Sequence, residues 1–284
     1  MDLDAYVKII RPSACIIIAA SALIGQVLAA GSFPEANIAI ISGLSCFLLT
    51  ASSFTLNDYV DYEVDLINTP QRPIPSGRIT RIEALRYGIG LGIAGATITL
   101  LLNPIAAIVG FTLYALTVIY TFKVKVYGFI GNVIVAFSIA SYFLFGYLTI
   151  NIIVDPFIVS IASICFFYSL GGEVAQSIGD AEGDRLRGVK SIALVYGPRA
   201  AAIVTSICYA LMAVMGAYTA VLFGLQDNRY TSLIVAGTIL IVGLITVPLL
   251  KNPDKKSAIR ARNIVNAFAI IIISWIFFIN QFSC

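Results

Sequence analysis

The sequence of 284 residues contains no histidine, and only 12% of its residues are charged. Without imidazole side chains, the chain cannot ligate haem or zinc through histidine, and it lacks histidine as a general base. Its five cysteines form no Cys-x-x-Cys pair, which argues against a cysteine metal or redox site. Any metal chemistry must therefore come from carboxylates.

Apolar residues are abundant and make up 59% of the sequence. A soluble domain carries roughly 25% charged residues, about twice the fraction found here. Apolar runs close to or above the roughly 20 residues that cross a bilayer as a helix recur along nearly the whole chain. We therefore predict a single membrane-embedded domain, residues 1–284, surrounded by membrane lipids. No basic tail is present for nucleic acid, and no protein partner is implied.

Glycine, proline and charged residues divide the apolar runs into nine predicted spans. The spans begin near Pro12, Ile38, Ile82, Pro104, Phe129, Asp155, Pro198, Thr231 and Ala258. The predicted fold class is all-α, a polytopic membrane protein with nine transmembrane helices around a central cavity.

A first acidic motif follows the second apolar run, in residues 57–65, which read Asn-Asp-Tyr-Val-Asp-Tyr-Glu-Val-Asp. If the preceding helix continues, Asp58, Asp61 and Asp65 share one face, and Asn57 lies one turn before Asp61. Carboxylates so close repel one another unless a cation neutralises them, and Mg²⁺ prefers such oxygen ligands. The motif therefore predicts a metal site. The alternative is an acidic helix end that is solvated at the membrane surface.

A second acidic motif follows the sixth apolar run, where Asp180, Glu182 and Asp184 lie close together. Asp180 and Asp184 are one helical turn apart. Two such motifs, each at the end of a long apolar run, favour one cavity that both of them face. The candidate catalytic residues are Asp58, Asp61, Asp65, Asp180 and Asp184, and these residues together with Asn57 are the candidate Mg²⁺ ligands.

The basic residues predict the orientation of the chain. With nine spans, every lysine and arginine except Arg229 falls on the side of the N-terminus, as do both acidic motifs. Loops rich in lysine and arginine remain on the cytoplasmic side of a membrane. We therefore predict a multi-pass protein of the cell membrane, with its active site open toward the cytoplasm.

Carboxylate clusters with lysine and arginine in nearby loops suit a polyanion that is bound through Mg²⁺ and capped by cations. A diphosphate is such a polyanion. In a membrane, the expected substrate is an isoprenyl diphosphate whose tail lies among the apolar helices. Ionisation of its allylic C–O bond releases pyrophosphate and leaves a carbocation, which the walls of the site must protect from water.

These residues resemble the UbiA superfamily of intramembrane prenyltransferases. Its first signature, Asn-Asp-x-x-Asp-x-x-x-Asp, matches residues 57–65, and its Arg-Pro-x-x-Ser-Gly loop is similar to residues 72–77. Its second signature, Asp-x-x-x-Asp, matches residues 180–184, and the Arg-Pro pair before its first helix matches residues 11–12. The resemblance covers essentially the whole chain and implies a Mg²⁺-dependent prenyltransferase.

The resemblance also concerns residues that bind the substrates. The superfamily often carries Tyr-x-x-x-Lys after its fourth helix, whereas here Tyr120 is followed by Lys123 and Lys125, one position short and one position long. Residues 128–136, which include Asn132, are similar to the corresponding segment of enzymes that make archaeal lipids. The candidate substrate-binding residues are Arg11, Asn57, Arg72, Tyr120, Lys123, Lys125 and Asn132.

Residues 179–191 resemble a branch of the superfamily that carries Glu-Gly-Asp and includes enzymes of archaeal lipid and chlorophyll synthesis. For the archaeal enzymes, the resemblance implies geranylgeranyl transfer from geranylgeranyl diphosphate to the sn-2 hydroxyl of geranylgeranylglyceryl phosphate. The reaction forms the second ether bond of archaeal membrane lipids. This branch usually has Arg-Glu upstream of its second aspartates, whereas this chain has Gly172 and Glu173.

Two alternatives remain open. A UbiA-type enzyme could instead use a quinone precursor, chlorophyllide or haem as the acceptor. Carboxylates within a membrane also occur in ion-coupled transporters, although the charges here cluster at one face and the spans contain few polar breaks.

Overall fold

The computed structural model describes residues 2–186, 188–222, 237, 242–264 and 267, and all regular elements in these ranges are helical. The prediction of an all-α fold is confirmed. The helices are α1 (Leu3–Ile9), α2 (Pro12–Ala30), α3 (Ala36–Val60), α4 (Tyr62–Asn68), α5 (Arg81–Thr99), α6 (Pro104–Ile119), α7 (Phe129–Leu148), α8 (Pro156–Gly179), α9 (Ala181–Leu186), α10 (Ile192–Val195) and α11 (Pro198–Leu222). Further helical segments are Tyr120–Val124, Lys125–Tyr127, Val242–Thr246, Val247–Lys251 and residues 255–264.

Six helices are long and apolar enough to cross a membrane, namely Pro12–Ala30, Ala36–Val60, Pro104–Tyr127, Phe129–Leu148, Pro156–Gly179 and Pro198–Val221. The predicted third span corresponds to α5, whose hydropathy is lowered by its charged first turns and its glycines. The start of the predicted eighth span, at Thr231, lies outside the described residues, and only the start of the ninth is described. The count of nine therefore stays a prediction.

Large apolar side chains are exposed along the membrane-spanning helices. Examples are Ile40 and Ile108, each 65% exposed, and Val221, which is 80% exposed. Contiguous apolar surface of this kind is unfavourable in water but suits contact with lipid tails. The chain is therefore an integral membrane protein.

The described chain is organised in two compact units. The first unit comprises residues 1–125 and 141–153, and the second comprises residues 126–140 and 154–284. Helix α7 contributes its N-terminal part to the second unit and its C-terminal part to the first. Each unit contains one of the two acidic motifs. The single domain over residues 1–284 stays a prediction.

In the first unit, α2 packs against the C-terminal part of α7 at two glycines. A Cβ atom at Gly25 would lie 2.0 Å from the carbonyl oxygen of Phe143, and one at Gly146 would lie 1.8 Å from that of Ala22. Any larger side chain would force the backbones apart. Small residues at helix crossings allow such close packing within a membrane.

Buried hydroxyl groups join α3 to α5 and α6 in the first unit. The Ser52 hydroxyl donates to the Gly88 carbonyl at 2.7 Å and lies 2.8 Å from the Tyr114 hydroxyl. The hydroxyls of Ser45 and Thr99 are 2.5 Å apart. Because buried polar groups are costly unless they are hydrogen-bonded, these contacts favour one register of α3. Helix α3 carries the first acidic motif at its C-terminal end.

In the second unit, α8 packs along α11. Tyr209 of α11 is fully buried, and a Cβ atom at Gly171 of α8 would lie 2.8 Å from its ring. Ile178 joins the same apolar core near the end of α8, as do Ala258 and Ala261 from residues 255–264. This core therefore positions both the second acidic motif and the segment 255–264.

Candidate active site

The first acidic motif begins at the C-terminal end of α3, which ends at Val60. The sequence predicted one continuous helix, but Asp61 leaves the helical conformation (ψ 2°) before α4 begins. The Asp61 N–H still donates to the Asn57 carbonyl at 2.9 Å, and the Asp65 N–H donates to the Asp61 carbonyl at 2.8 Å. Helical hydrogen bonding therefore continues across the break, and the aspartates remain close to one another.

All three aspartates of this motif are buried, with 3% exposure for Asp58, 7% for Asp61 and 0% for Asp65. A buried carboxylate is strongly unfavourable unless a cation or hydrogen-bond donors neutralise it. Burial therefore requires partners for this motif, and three basic side chains supply them.

Arg72 and Arg11 neutralise Asp58 and Asp65. The Arg72 Nη1 donates to Asp65 Oδ2 at 2.6 Å and to Asp58 Oδ1 at 3.4 Å. The Arg11 Nη2 donates to the same Asp58 oxygen at 2.5 Å. A single guanidinium nitrogen thus reaches two carboxylates, which shows that one cation can bridge them.

Local backbone structure holds Arg72 in place. Its carbonyl accepts from the Ser76 N–H at 3.0 Å and from the Ser76 hydroxyl at 2.7 Å. Ile74 and Ile79 anchor the loop in the apolar core of the first unit. Gly77 has φ +75°, a conformation that favours glycine. These contacts explain why the segment Arg-Pro-x-x-Ser-Gly folds as a compact loop.

Arg11 lies at the N-cap of α2 in a left-handed conformation, with φ 51°. It is the only non-glycine residue in the described ranges with positive φ, which is unusual for an arginine. Its guanidinium carbon lies 4.8 Å from the ring centre of Phe54, a distance that allows a cation–π contact. The strained backbone directs this side chain toward Asp58.

Lys125 neutralises Asp61 and also contacts Asn57. Its Nζ donates to the Asn57 Oδ1 at 3.2 Å and to the Asp61 carboxylate. The π-helical turn at Tyr120–Val124 precedes it, and the Lys125 N–H donates to the Tyr120 carbonyl. A π turn contains one residue more than an α turn. It therefore accommodates the one residue by which the spacing from Tyr120 to Lys125 exceeds the Tyr-x-x-x-Lys pattern. Lys123 is exposed, and Tyr120 is half-buried.

In the described part of the chain, no group of three acidic, cysteine or histidine side chains forms a ready metal site. In the first motif, basic side chains occupy carboxylate oxygens that a metal ion would need. A metal ion would compete with these cations for the oxygens that they contact.

The second acidic motif lies at the C-terminal end of α8 in the second unit. Asp180 caps this helix, and its N–H donates to the Gln176 carbonyl at 3.0 Å. The Asp184 N–H donates to the Asp180 carbonyl at 2.9 Å, so the two aspartates are one helical turn apart, as predicted. Asp180 is exposed, and Asp184 is half-buried.

The predicted substrate-binding residues fall in both units. The first unit brings together Arg11, Asn57, Asp58, Asp61, Asp65, Arg72 and Lys125. Asn132 lies in the part of α7 that belongs to the second unit, where its buried Nδ2 has no hydrogen-bond partner among the described residues. Asp180 and Asp184 also belong to the second unit.

The sequence analysis missed a shallow cleft beside the second motif. Its lining residues are Gln176, Gly179, Asp180, Ala258, Ile259 and Arg262. Arg262 belongs to no motif and counted only among the basic residues that predict orientation. The spacing of Ala258 and Arg262, one helical turn apart, is too common in helices to have indicated the cleft.

Comparisons with known proteins show the family to which the chain belongs. The sequence profile of the UbiA prenyltransferase family matches residues 18–278. The digeranylgeranylglyceryl phosphate synthase of Thermococcus kodakarensis is 31% identical, and the alignment covers 92% of each chain. The chain therefore belongs to the UbiA prenyltransferase family. It is a membrane prenyltransferase, and its family membership argues against the transporter alternative.

Solved structures show the same fold. A structure concerned with digeranylgeranylglyceryl phosphate synthase in membranes is 26% identical, with a TM-score of 0.80 and coverage of 99% of both chains. A UbiA homolog from Archaeoglobus fulgidus bound to GPP and Mg²⁺ is 20% identical, with a TM-score of 0.73. That similarity covers 95% of this chain and 99% of the homolog.

Proposed function

We propose that this prenyltransferase transfers a geranylgeranyl group from geranylgeranyl diphosphate to the sn-2 hydroxyl of geranylgeranylglyceryl phosphate. The product carries the second ether bond of archaeal membrane lipids. The relatives of the same synthase type support this choice of substrates. The observation that carries the proposal is the convergence of Arg11, Arg72 and Lys125 on buried aspartates at the end of a membrane helix.

The residues of the first motif suit Mg²⁺ because they offer only oxygen ligands. The bridging of Asp58 and Asp65 by one Arg72 nitrogen supports a shared cation at these oxygens. When bound, Mg²⁺ would neutralise the diphosphate and stabilise pyrophosphate as a leaving group. The residues that we assign to hold it are Asn57, Asp58, Asp61 and Asp65 of the first motif, and Asp180 and Asp184 of the second.

The three basic side chains would bind the diphosphate directly. Each one neutralises a buried carboxylate when no substrate is bound. Once the carboxylates have another cationic partner, the N–H groups of Arg11, Arg72 and Lys125 are free to donate to phosphate oxygens. The planar fork of Arg72 suits two parallel hydrogen bonds to a phosphate, whereas Lys125 acts as a point charge.

In the proposed reaction, the allylic C–O bond breaks and its electron pair stays with pyrophosphate. Hydrogen bonds from Arg11, Arg72 and Lys125 retain that anion. The acceptor oxygen forms the new C–O bond, and its proton leaves to pyrophosphate or to a nearby carboxylate. A carbocation reacts with a weak nucleophile such as an alcohol, so the absence of histidine is no obstacle. The apolar helices exclude water, which would otherwise capture the cation.

An acceptor screen tests the proposed substrates. Purified protein in liposomes receives Mg²⁺, labelled geranylgeranyl diphosphate and one acceptor at a time: geranylgeranylglyceryl phosphate, a quinone precursor, chlorophyllide or haem. We expect an ether lipid and an equal amount of pyrophosphate with geranylgeranylglyceryl phosphate alone. Transfer only to another acceptor would overturn the assigned acceptor and leave the enzyme class unchanged.

A further inference from the structure

The cleft beside the second motif lies between two helices of the second unit. Gln176, Gly179 and Asp180 share one face of the end of α8 because they are spaced i, i+3 and i+4. Ala258, Ile259 and Arg262 form the opposite wall, on residues 255–264. Ala258 and Ala261 are buried in the apolar core, which fixes the position of this second wall.

The charged groups of this cleft are not paired with each other. Asp180 and Arg262 are both exposed, and neither forms an ion pair within 4.0 Å with any described residue. In the first unit, by contrast, Arg11, Arg72 and Lys125 each contact an aspartate. The guanidinium of Arg262 is therefore available to an anion from outside the chain.

A further polar group lies at this cleft. The Gln176 Nε2 donates to the Gly172 carbonyl at 3.5 Å, a long and weak hydrogen bond that leaves its N–H groups available. The Arg262 guanidinium and the Gln176 amide are thus the donors of a cleft whose second wall also carries the apolar side chains of Ala258 and Ile259.

We propose that this cleft binds the phosphate group of the acceptor, with Arg262 as its principal ligand and Gln176 as a further donor. The inference rests on the proposed function, which supplies an acceptor that carries a phosphate monoester. A guanidinium fork matches a phosphate better than any other side chain does. The apolar side chains of Ala258 and Ile259 in the second wall suit the start of the lipid chain of the acceptor.

The chemistry of the acceptor requires its phosphate to bind close to the reacting centre. In a glyceryl phosphate, only one ester oxygen and two carbons separate the phosphorus from the sn-2 hydroxyl oxygen. A phosphate held by Arg262 in the same cleft as Asp180 keeps that hydroxyl near the second motif. Arg262 is thus a specificity residue that selects phosphorylated acceptors over acceptors that carry no phosphate.

Steady-state kinetics with two acceptors test the proposal. Geranylgeranylglyceryl phosphate is compared with geranylgeranylglycerol, which lacks the phosphate, in wild-type protein and in the variant Arg262→Ala. We expect the KM for the phosphorylated acceptor to rise about tenfold or more, because a charged hydrogen-bond pair is lost. The KM for geranylgeranyl diphosphate and the kinetics with geranylgeranylglycerol should stay at wild-type values. Arg262→Lys should give an intermediate KM, since it keeps the charge but loses the fork.

Arg260→Ala is the matched control, because Arg260 is an exposed arginine on the same helix, two residues away and on a different face. It should leave every one of these constants unchanged. An unchanged KM for the phosphorylated acceptor in Arg262→Ala would overturn the proposal. An equal loss with both acceptors would also overturn it, because that result indicates a general defect of the fold.

A binding measurement separates this inference from the proposed function. Glycerol 1-phosphate, used as a probe without transfer, should raise the thermal stability of the wild-type protein and of Arg260→Ala, but not of Arg262→Ala. This result together with no transfer to geranylgeranylglyceryl phosphate would reject the proposed function and retain the phosphate site. No stabilisation of the wild-type protein would reject the site, even if transfer occurs.

Discussion

Lys123 and Lys125 are two residues apart, but only Lys125 contacts the first acidic motif. In the absence of substrate, its ammonium group occupies the Asp61 oxygen that Mg²⁺ would need. Lys125→Met should therefore raise the affinity of the protein for Mg²⁺ alone, by roughly threefold to tenfold, while lowering the rate of transfer. Isothermal titration with Mg²⁺ in the absence of diphosphate measures the affinity.

Lys123→Met is the matched control for that experiment and should bind Mg²⁺ as the wild-type protein does, because Lys123 is exposed. Unchanged Mg²⁺ affinity in Lys125→Met would show that the lysine does not compete with the metal.

Arg72 differs from the other arginines of its unit because it bridges Asp58 and Asp65. Arg72→Lys keeps the charge but loses the planar fork, so the KM for geranylgeranyl diphosphate should rise by about tenfold. Steady-state kinetics with both substrates measure this change. Arg86→Lys, at an exposed position of α5, should have no effect. Equal kinetics in the two variants would mean that Arg72 only adds positive charge to its loop.

At the scale of residues, the sequence predicted most of the first-unit site. The spacing of Asp58, Asp61 and Asp65 and the arginines of Arg-Pro pairs were sufficient to name its members. The choice between Lys123 and Lys125 could not be made, because it depends on a π turn that no simple pattern indicates. Arg262 was not singled out, because its position beside α8 depends on the packing of residues far apart in the sequence.

The crossing of α2 with α7 depends on glycine at two positions. Gly146→Ala would place a methyl group against the Ala22 carbonyl. Overpacking of this kind typically costs about 1–3 kcal/mol, so the variant should unfold at a lower temperature. Thermal unfolding in lipid or detergent measures the change. Gly43→Ala is the control, since a Cβ there meets nothing within 4 Å, and its Tm should be equal to or above that of the wild-type protein.

Asp254 caps the helical segment that carries Arg262, since its Oδ1 accepts from the Ser257 N–H at 2.8 Å. This hydrogen bond lowers the pKa of Asp254 below its ordinary value of 3.8. The cap therefore contributes stability above pH 3.8 and loses it as the pH falls through the lowered pKa.

Hydrogen exchange of the amides in residues 255–258 checks this cap. Exchange should be faster in Asp254→Ala at neutral pH but not in Asp254→Asn, because asparagine also caps helices well. At acid pH, the wild-type protein should lose protection relative to Asp254→Asn. Equal protection in Asp254→Ala and wild type would show that the cap does not hold the segment.

At the scale of elements, the predicted starts of six spans agree with the starts of the six helices that are long and apolar enough to cross a membrane. Hydropathy and proline positions determine these starts, as at Pro12, Pro104 and Pro198. The interruption at Asp61 was not predicted, because the sequence around it contains no glycine or proline. The interruption lies where the buried aspartates contact Arg72 and Lys125. These tertiary contacts override the local preference for helix.

At the scale of the whole molecule, the two acidic motifs occupy the ends of α3 and α8 in separate compact units. The class of enzyme followed from the resemblance of these motifs, in their order and spacing, to the signatures of the UbiA superfamily, and family membership confirms it. The acceptor could not be derived in the same way, because the motifs themselves point to the diphosphate and to Mg²⁺ and not to the acceptor. A requirement for both acidic motifs in the transfer reaction is the central claim of the proposed function.

The most direct test of that claim is transfer in liposomes, with geranylgeranyl diphosphate and geranylgeranylglyceryl phosphate, in Mg²⁺ or in EDTA. The assay compares the wild-type protein with Asp61→Ala, Asp184→Ala and the exposed-site control Glu63→Ala. If both motifs and Mg²⁺ are required, the wild-type protein and Glu63→Ala should form ether lipid in Mg²⁺. Transfer should fall by about 100-fold or more in EDTA and in either aspartate variant. Full activity in EDTA, in Asp61→Ala or in Asp184→Ala would contradict this requirement.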